Sequence, residues 1–429
     1  MRILTISNST TGPYGYGIVT KNLCRDFRDD LGHEIWNFGN QTCGDIAKDE
    51  YGTPNLPVRF NMFYVDAIND YLSSLKPDLV LTIFDIIIPD AIPVIQSIKA
   101  VGLPIISYAT VNYSPAPLGL VDRAKYIDLM VAPSKWGLAE LQRAGVSNAT
   151  YAPHGIDPEL YFHEPTLKEK TKKEFGLEGK FIYLMVQRNR HPQKNITQLF
   201  AAWQAFLAKN PELKDKVMLL CVTDIMEPQS SLAGLGVPLD QLRMLLGLQN
   251  SIMFLKQKIV GTPQKHKVLA VPETDRDGFY FNANFRLEEA EMRKIYNMAD
   301  CTVSSSLGES FCLPLLESGA CGTPVIAAKH TTSFELVQEP ETGLLCDIIE
   351  PQLSFNFSNI FQFSVPSMIG CLEKMYHEQE FRETCKENGI KNAKNYHWKD
   401  IVKNHWKPIL DHYENKMNEL DYGAMRLGL

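Results

Sequence analysis

The feature that most constrains this chain is a pattern that runs through it twice. Short apolar runs alternate with stretches of helical spacing. In the first half the runs are Arg2 to Ser7, Leu79 to Phe84, Pro104 to Tyr108 and Leu129 to Ala132. Pro, Gly or Asp bounds them, as at Lys76-Pro77-Asp78. Short aliphatic runs without polar alternation fit strands buried on both faces. Gly17 to Asp30 and Trp136 to Ala144 carry apolar residues at helical spacing between them. Strand–helix alternation of this kind specifies a parallel α/β sheet.

A polar stretch from Pro158 to Lys180 interrupts the pattern, with the charge run Lys168 to Glu174 inside it. It reads as a domain boundary followed by a solvated first helix. The alternation then restarts with a strand at Phe181 to Val186, a helix at Ile196 to Ala208 and a strand at Lys216 to Val222. Cys301 to Ser305 and Pro324 to Ala327 are later strands. A length of 429 residues suits two or three domains. The expectation is an N-terminal Rossmann-like domain over 1–160 and a C-terminal one over 161–395, with a ligand cleft between them.

Composition removes several classes. The formal net charge of −7 argues against nucleic acid as a partner. The nine cysteines contain no C-x-x-C pair and no zinc spacing. Reduced, mostly buried thiols in the cytoplasm are therefore expected. The start MRILTISNST has no secretory pattern, and no apolar run is long enough to span a bilayer. The N-x-S/T triplets at Asn8, Asn40, Asn112, Asn148, Asn195 and Asn356 then read as chance matches.

The segment ADCTVSSSLGESFCLPLLESGACGTPVIA, Ala299 to Ala327, carries the most chemistry. A strand ends near Ser305, a loop runs from Ser306 to Cys312, and a helix starts near Leu313. Pro314 suits the first helical turn and Gly322 its end. The loop thus meets a helix N-terminus, where free N–H groups and the helix dipole favour an anion. Glu309 lies in the loop and Glu317 inside the helix. A carboxylate beside an anion site repels phosphate, so its partner carries hydroxyls, as a sugar ring or a ribose diol does. Read alone, the two glutamates are equally a loop cap and an exposed helix residue.

This segment resembles the E-x7-E signature of GT-B glycosyltransferases, in particular the large retaining family 4. The resemblance includes both glutamates, Phe311, Leu313-Pro314 and the run Ala320-Cys321-Gly322-Thr323-Pro324-Val325. It implies two Rossmann-like domains facing each other across a cleft. It also implies a donor that is a nucleotide diphosphate-sugar and needs no metal. Ser310, Phe311, Cys312, Leu313 and Glu317 would then bind the donor, with Glu309 on the transferred sugar.

The stretch VQRNRHPQKNI from Val186 resembles the family's basic motif after the first strand of the nucleotide-binding domain. Arg188 and Lys194 have its spacing. Arg grips a diphosphate bidentately and Lys adds a mobile point charge. Fixed cations there favour departure of the diphosphate, because its negative charge grows in the transition state. An exposed basic loop is the plainer alternative. Arg190 and His191 are read as incidental.

TGPYGYGIVTKNL from Thr11 is a Gly-rich turn between a strand and a helix. It does not complete G-x-G-x-x-G, because position 20 is threonine, so it does not indicate NAD. The resemblance places Gly15 and Gly17 over the donor phosphate; a plain βα turn is the alternative. Ala132-Pro133-Ser134-Lys135-Trp136 and Pro153-His154-Gly155-Ile156-Asp157 resemble the ends of the family's first domain, with His154 a structural turn residue. Tyr396-His397-Trp398 resembles the start of a terminal helix, 396–429, that returns to the first domain. Many relatives have a histidine facing the donor sugar; here the matching stretch SYATVNYSP offers Asn112, which can bond a hydroxyl but is no base.

Asp275-Arg276-Asp277, with Glu273 two residues ahead, is a D-x-D triplet, yet a solvated acidic loop explains it better than a metal site. The acceptor is expected on loops of the first domain, Gly39 to Asn61 and Tyr113 to Asp122. Phe60, Met62, Phe63 and Tyr64 are read as core, with a lipid acceptor or peripheral membrane contact as the alternative. A nucleotide-sugar epimerase of the same shape and a non-catalytic nucleotide-sugar-binding protein remain as rival functions. The sugar, the base, the acceptor and the oligomeric state are not legible in the sequence.

Overall fold

The computed structural model describes the chain apart from residues 13–14, 41–43, 60–64, 66, 191, 226–235, 263–264, 282–286, 354–356 and 428–429. Its contacts divide the chain into two units. Unit 1 comprises Met1–Gly155, residues 356–358 and Tyr396–Leu429; unit 2 comprises the remainder. The division falls after Gly155 rather than at 160.

Unit 1 holds β1 (Arg2–Asn8), β2 (Glu34–Asn40), β3 (Ala47–Lys48), β4 (Pro54–Leu56), β5 (Leu79–Ile83), β6 (Ile105–Tyr108), β7 (Leu129–Ala132) and β8 (Ala149–Tyr151). They form one sheet in the order β3-β4-β2-β1-β5-β6-β7-β8. All pairings are parallel except β3 with β4. The order reverses at β1, with β2 on one side and β5 on the other, and ligands of such sheets bind outside the strand ends at that reversal. Every residue of β5 is buried, as its unbroken run LVLTI requires.

Unit 2 holds β9 (Phe181–Val186), β10 (Val217–Val222), β11 (Ile252–Phe254), β15 (Cys301–Val303), β16 (Val325–Ala328) and β17 (Gly343–Cys346), in the order β11-β10-β9-β15-β16-β17. All its pairings are parallel. Alternate residues of β9 and β10 enter different cores. Tyr183, Met185, Leu219 and Cys221 join one; Ile182, Leu184, Met218 and Leu220 join the other. Each such buried side chain contributes about 1.5–3 kcal/mol, so this two-sided burial is what holds the sheet. Between β11 and β15 lies a second, antiparallel sheet: β12 (Lys256–Thr262), β13 (Lys265–Val271) and β14 (Phe279–Tyr280). The apolar run Val268 to Val271 forms the end of β13.

The helix at Lys407–Leu427 and the turns before it belong to unit 1. Trp398 and Trp406, both buried, anchor this terminal segment. Trp406 packs edge-on against Phe27 and Tyr108. A Cβ on Gly155 would lie 2.5 Å from the Trp398 ring, so the indole fits only against a bare Cα. His154 is buried beside it, and its Nδ1 lies 2.9 Å from the Tyr108 hydroxyl. That hydroxyl donates to the Ala152 carbonyl, so the imidazole is the donor in the pair. Burial lowers the His154 pKa to about 3. It is therefore a neutral packing residue.

Candidate active site

In unit 2 the sheet reverses between β9 and β15, which pair directly, Tyr183 opposite Cys301 and Leu184 opposite Thr302. The loops that follow both strands leave the same edge. One is the basic loop 187–195, the other the serine–glutamate loop 304–312. The pairing of two central strands therefore joins motifs that are far apart in sequence.

Side-chain amides and hydroxyls stitch the two loops together. Gln187, buried just after β9, donates through Nε2 to Ser304 Oγ at 3.2 Å and Ser306 Oγ at 3.0 Å. Its Oε1 accepts from Ser305 Oγ at 2.7 Å. The Leu307 N–H donates to the Gln193 carbonyl at 2.8 Å. Buried polar groups must be satisfied, and here each loop satisfies the other.

Lys194 and Glu309 meet at the centre of this assembly. Lys194 Nζ forms an ion pair with Glu309 Oε1, and the side chains are 20% and 14% exposed. Ser306 Oγ donates to the same oxygen. Among the described residues, Oε2 receives no hydrogen bond. Arg188 lies in the same loop and is exposed. His191 lies outside the described residues.

The helix Leu313–Ala320 starts at Cys312, with Pro314 in its first turn and no side-chain cap. Pro314 carries no N–H and the Leu315 N–H donates to the Cys312 carbonyl at 3.1 Å, so the positive end of the helix dipole is what suits an anion here. Cys312 itself has φ +77°, a left-handed conformation that costs a non-glycine residue about 1–2 kcal/mol. Burial pushes its thiol up to about 12. Ser310 and Leu313 are partly exposed beside it, whereas Phe311 is buried and gives its carbonyl to Thr332 Oγ1.

Glu317 is 8% exposed inside this helix. The Tyr296 hydroxyl donates to its Oε2 at 2.7 Å. Burial, and then the Glu317 charge, push the Tyr296 phenol well above its ordinary value, so it remains a donor at any working pH. One oxygen of Glu317 is thus oriented from below by a rigid phenol.

Sequence reading missed a further layer behind Glu309. The Glu309 N–H donates to Thr331 Oγ1 at 3.2 Å. His330 is buried, with Nδ1 3.0 Å from Thr331 Oγ1 and Nε2 2.6 Å from the Ser306 carbonyl. Both residues follow β16, the strand next to β15. Burial lowers the His330 pKa below its ordinary value. No spacing rule marked this pair in the sequence.

In unit 1, Gly15 and Gly17 lie in the first turn of the helix Gly15–Asp29, not in an open turn. A Cβ on Gly17 would lie 2.4 Å from the Ser9 carbonyl, so the bare Cα there serves close helix–strand packing; at Gly15 the space is open. Asn112 is partly exposed in the loop after β6. The polar cluster at this sheet edge forms two residues earlier. Thr110 Oγ1 and Tyr16 Oη both donate to Asp85 Oδ1, at 2.6 and 2.7 Å. Tyr16 lies in the first turn of the helix after β1, and Asp85 and Thr110 follow β5 and β6, so only the sheet order brings the three together. The cluster Phe60 to Tyr64 lies outside the described residues.

The D-x-D acids are engaged by cations. Glu273 accepts from Arg243 Nη1 and Nη2 at 2.7 and 2.9 Å. Lys258 Nζ pairs with Asp275 at 3.3 Å and Asp277 at 3.0 Å. Among the described residues no group of His, Cys, Asp and Glu is arranged to hold a metal, and no helix is long and apolar enough to cross a membrane.

Residues 282–352 match the family model of glycosyl transferases group 1. A D-inositol 3-phosphate glycosyltransferase of Stackebrandtia nassauensis is 27% identical over 208 residues, 48% of this chain and 39% of that protein. The probable sucrose-phosphate synthase 2 of Oryza sativa subsp. japonica is 27% identical over 127 residues, 29% of this chain and 12% of that protein. The chain thus spans less than half the length of these curated relatives. Solved structures agree over nearly the whole chain. HepE of Anabaena, in complex with UDP and glucose, has a TM-score of 0.68 at 16% identity, covering 96% of this chain and 100% of that one. Sucrose-phosphate synthase of Thermosynechococcus elongatus has a TM-score of 0.71 at 16% identity, covering 97% and 100%. The chain carries a glycosyl transferases group 1 segment within a GT-B fold of two Rossmann-like units.

Proposed function

We propose that this protein is a retaining, metal-independent glycosyltransferase of family 4, transferring a hexose from a nucleotide diphosphate-sugar to a hydroxyl acceptor. The observation that carries the reading is the Lys194–Glu309 pair at the β9/β15 reversal, beside an uncapped helix N-terminus. The parts divide the work by charge. Arg188, Lys194 and the helix N-terminus offer positive potential to the departing diphosphate, whose negative charge grows as the bond to the sugar breaks. Glu309 offers a free carboxylate oxygen to the sugar, where positive charge grows at the anomeric carbon. Glu317, oriented by Tyr296, takes the ribose hydroxyls. Asn112 is proposed to bond a sugar hydroxyl, as the family resemblance implies.

HepE was solved with UDP-glucose as well as with UDP, and uridine diphosphate is the first nucleotide to try. Retention rests on the family resemblance. Metal independence is supported by the commitment of Glu273, Asp275 and Asp277 to Arg243 and Lys258. The eight described cysteines are all free thiols, seven of them buried, which suits a cytoplasmic protein.

The test is release of nucleoside diphosphate from UDP- and GDP-hexoses, with and without a panel of sugar, polyol and lipid acceptors. Acceptor-dependent release and a product with the donor's anomeric configuration are expected. Interconversion of donor sugars without release would show an epimerase. Binding without either reaction would show a binding protein.

A further inference from the structure

We propose that His330 and Thr331 are positioning residues that hold the Glu309 carboxylate in its working orientation through a closed ring of hydrogen bonds. The inference rests on the reading of Glu309 as the carboxylate that faces the transferred sugar.

The direction of every bond in the ring follows from chemistry. The Ser306 carbonyl can only accept, so His330 Nε2, 2.6 Å away, carries a proton and donates. A buried imidazole is neutral, which leaves Nδ1 as an acceptor. Its neighbour at 3.0 Å, Thr331 Oγ1, therefore donates to it. The same Thr331 oxygen accepts the Glu309 N–H at 3.2 Å. Ser306 closes the ring through its side chain, donating to Glu309 Oε1 while it accepts from Gln187. Glu309 is thus fixed at its backbone and at one carboxylate oxygen. The other oxygen receives no hydrogen bond among the described residues.

Two further observations support a built device. Thr331 adopts φ +46°, a left-handed conformation unfavourable for a β-branched residue. Backbone strain of this kind persists where the surroundings over-determine it, and it clusters at functional sites. His330 is also stacked on Phe361, ring centroids 5.8 Å apart, and the Phe361 N–H donates to the Leu307 carbonyl. The ring plane is therefore fixed from a second direction.

His330 and Thr331 bond neither Lys194 nor Glu317, and the ring meets Lys194 only through Glu309 Oε1. Its loss blurs the orientation of Glu309 and leaves nucleotide binding in place. The experiment uses the full chain with Thr331→Val, Thr331→Ser and His330→Phe. Valine keeps the shape and removes the hydroxyl, serine restores the hydroxyl, and phenylalanine keeps the stack on Phe361. Steady-state kinetics are read beside calorimetric affinity for UDP, or for whichever diphosphate the wild type binds. Thr331→Val and His330→Phe are expected to lower kcat about ten-fold or more, with nucleotide affinity unchanged within about two-fold, and Thr331→Ser to recover most of the loss. Wild-type kcat in Thr331→Val, a parallel loss of kcat and affinity, or no recovery with serine overturns the proposal. If the wild type turns over no nucleotide-sugar, the functional reading fails, and the ring is judged by the imidazole 15N resonances of His330. A neutral Nε2–H tautomer whose Nδ1 resonance shifts in Thr331→Val supports the ring. A protonated imidazole or the Nδ1–H tautomer overturns it.

Discussion

Lys194 Nζ and Glu309 Oε1 share a charge-assisted hydrogen bond across a gap of 115 residues. It ties the loop after β9 to the loop after β15 and leaves the second carboxylate oxygen of Glu309 open. In the proposed reaction the cation serves the leaving group and the anion the sugar.

Arg188→Ala and Lys194→Ala are each expected to lower turnover on the order of 10²-fold, because each removes a fixed positive group from the leaving diphosphate. Lys194→Ala also leaves Glu309 without its cation. Initial rates of diphosphate release, with circular dichroism to confirm the fold, check this. Wild-type turnover in the double variant contradicts it.

Glu309→Gln and Glu317→Gln are expected to fail differently. Ribose contacts are the same in ground and transition states, so Glu317→Gln raises KM and spares kcat. Glu309→Gln cuts kcat and spares affinity for free nucleoside diphosphate. Tyr296→Phe removes the 2.7 Å bond that orients Glu317 and follows the Glu317 pattern more weakly. Calorimetry beside steady-state kinetics reads all three. Weaker nucleotide binding in Glu309→Gln than in Glu317→Gln reverses the placement.

EDTA is expected to leave activity unchanged. The acids of the D-x-D stretch act in stability instead. Arg243 and Glu273 side chains are 11% and 19% exposed, and Glu273→Gln removes one of the two carboxylates that pair with this largely buried guanidinium, leaving Asp240. A loss of about 2–3 kcal/mol is expected, below the range for a fully buried pair. Urea titration of the variant checks it; activity abolished by EDTA and restored by manganese refutes the metal claim.

Acid is expected to weaken unit 1 through His154. Burial holds its folded pKa near 3, while the unfolded chain titrates near the ordinary 6.5. Between these values the unfolded state binds the extra proton, so the neutral imidazole's contribution is complete above pH ~6.5 and falls as pH drops toward 3, by up to roughly 1.4 kcal/mol per pH unit. His33, His330 and His405 are lowered in the same direction. His154→Gln cannot titrate and is expected to flatten the dependence in part. Urea midpoints followed through tryptophan fluorescence between pH 7 and pH 4 test this, and an unchanged slope contradicts it.

What the sequence determined by itself is local. The unbroken apolar runs Phe181 to Val186 and Val217 to Val222 form strands because both faces are buried. Pro314 and Gly322 set the ends of a helix through proline's fixed φ and glycine's left-handed freedom, φ +76° at Gly322. The basic loop and the serine–glutamate loop were legible because each follows such a strand. Tertiary structure decided which loops meet. The β9–β15 pairing joins Lys194 to Glu309, and the neighbouring strand β16 brings His330 and Thr331 behind them. The order β1-β5-β6 gathers Tyr16, Asp85 and Thr110, where the sequence had pointed to Asn112. The antiparallel sheet of β12, β13 and β14 escaped the reading, and with it the Lys258 partner of Asp275 and Asp277. Hydrogen-bond partners far apart in sequence carry no periodic signal, because their meeting depends on strand order, and a burial pattern along one strand does not encode which strand lies beside it.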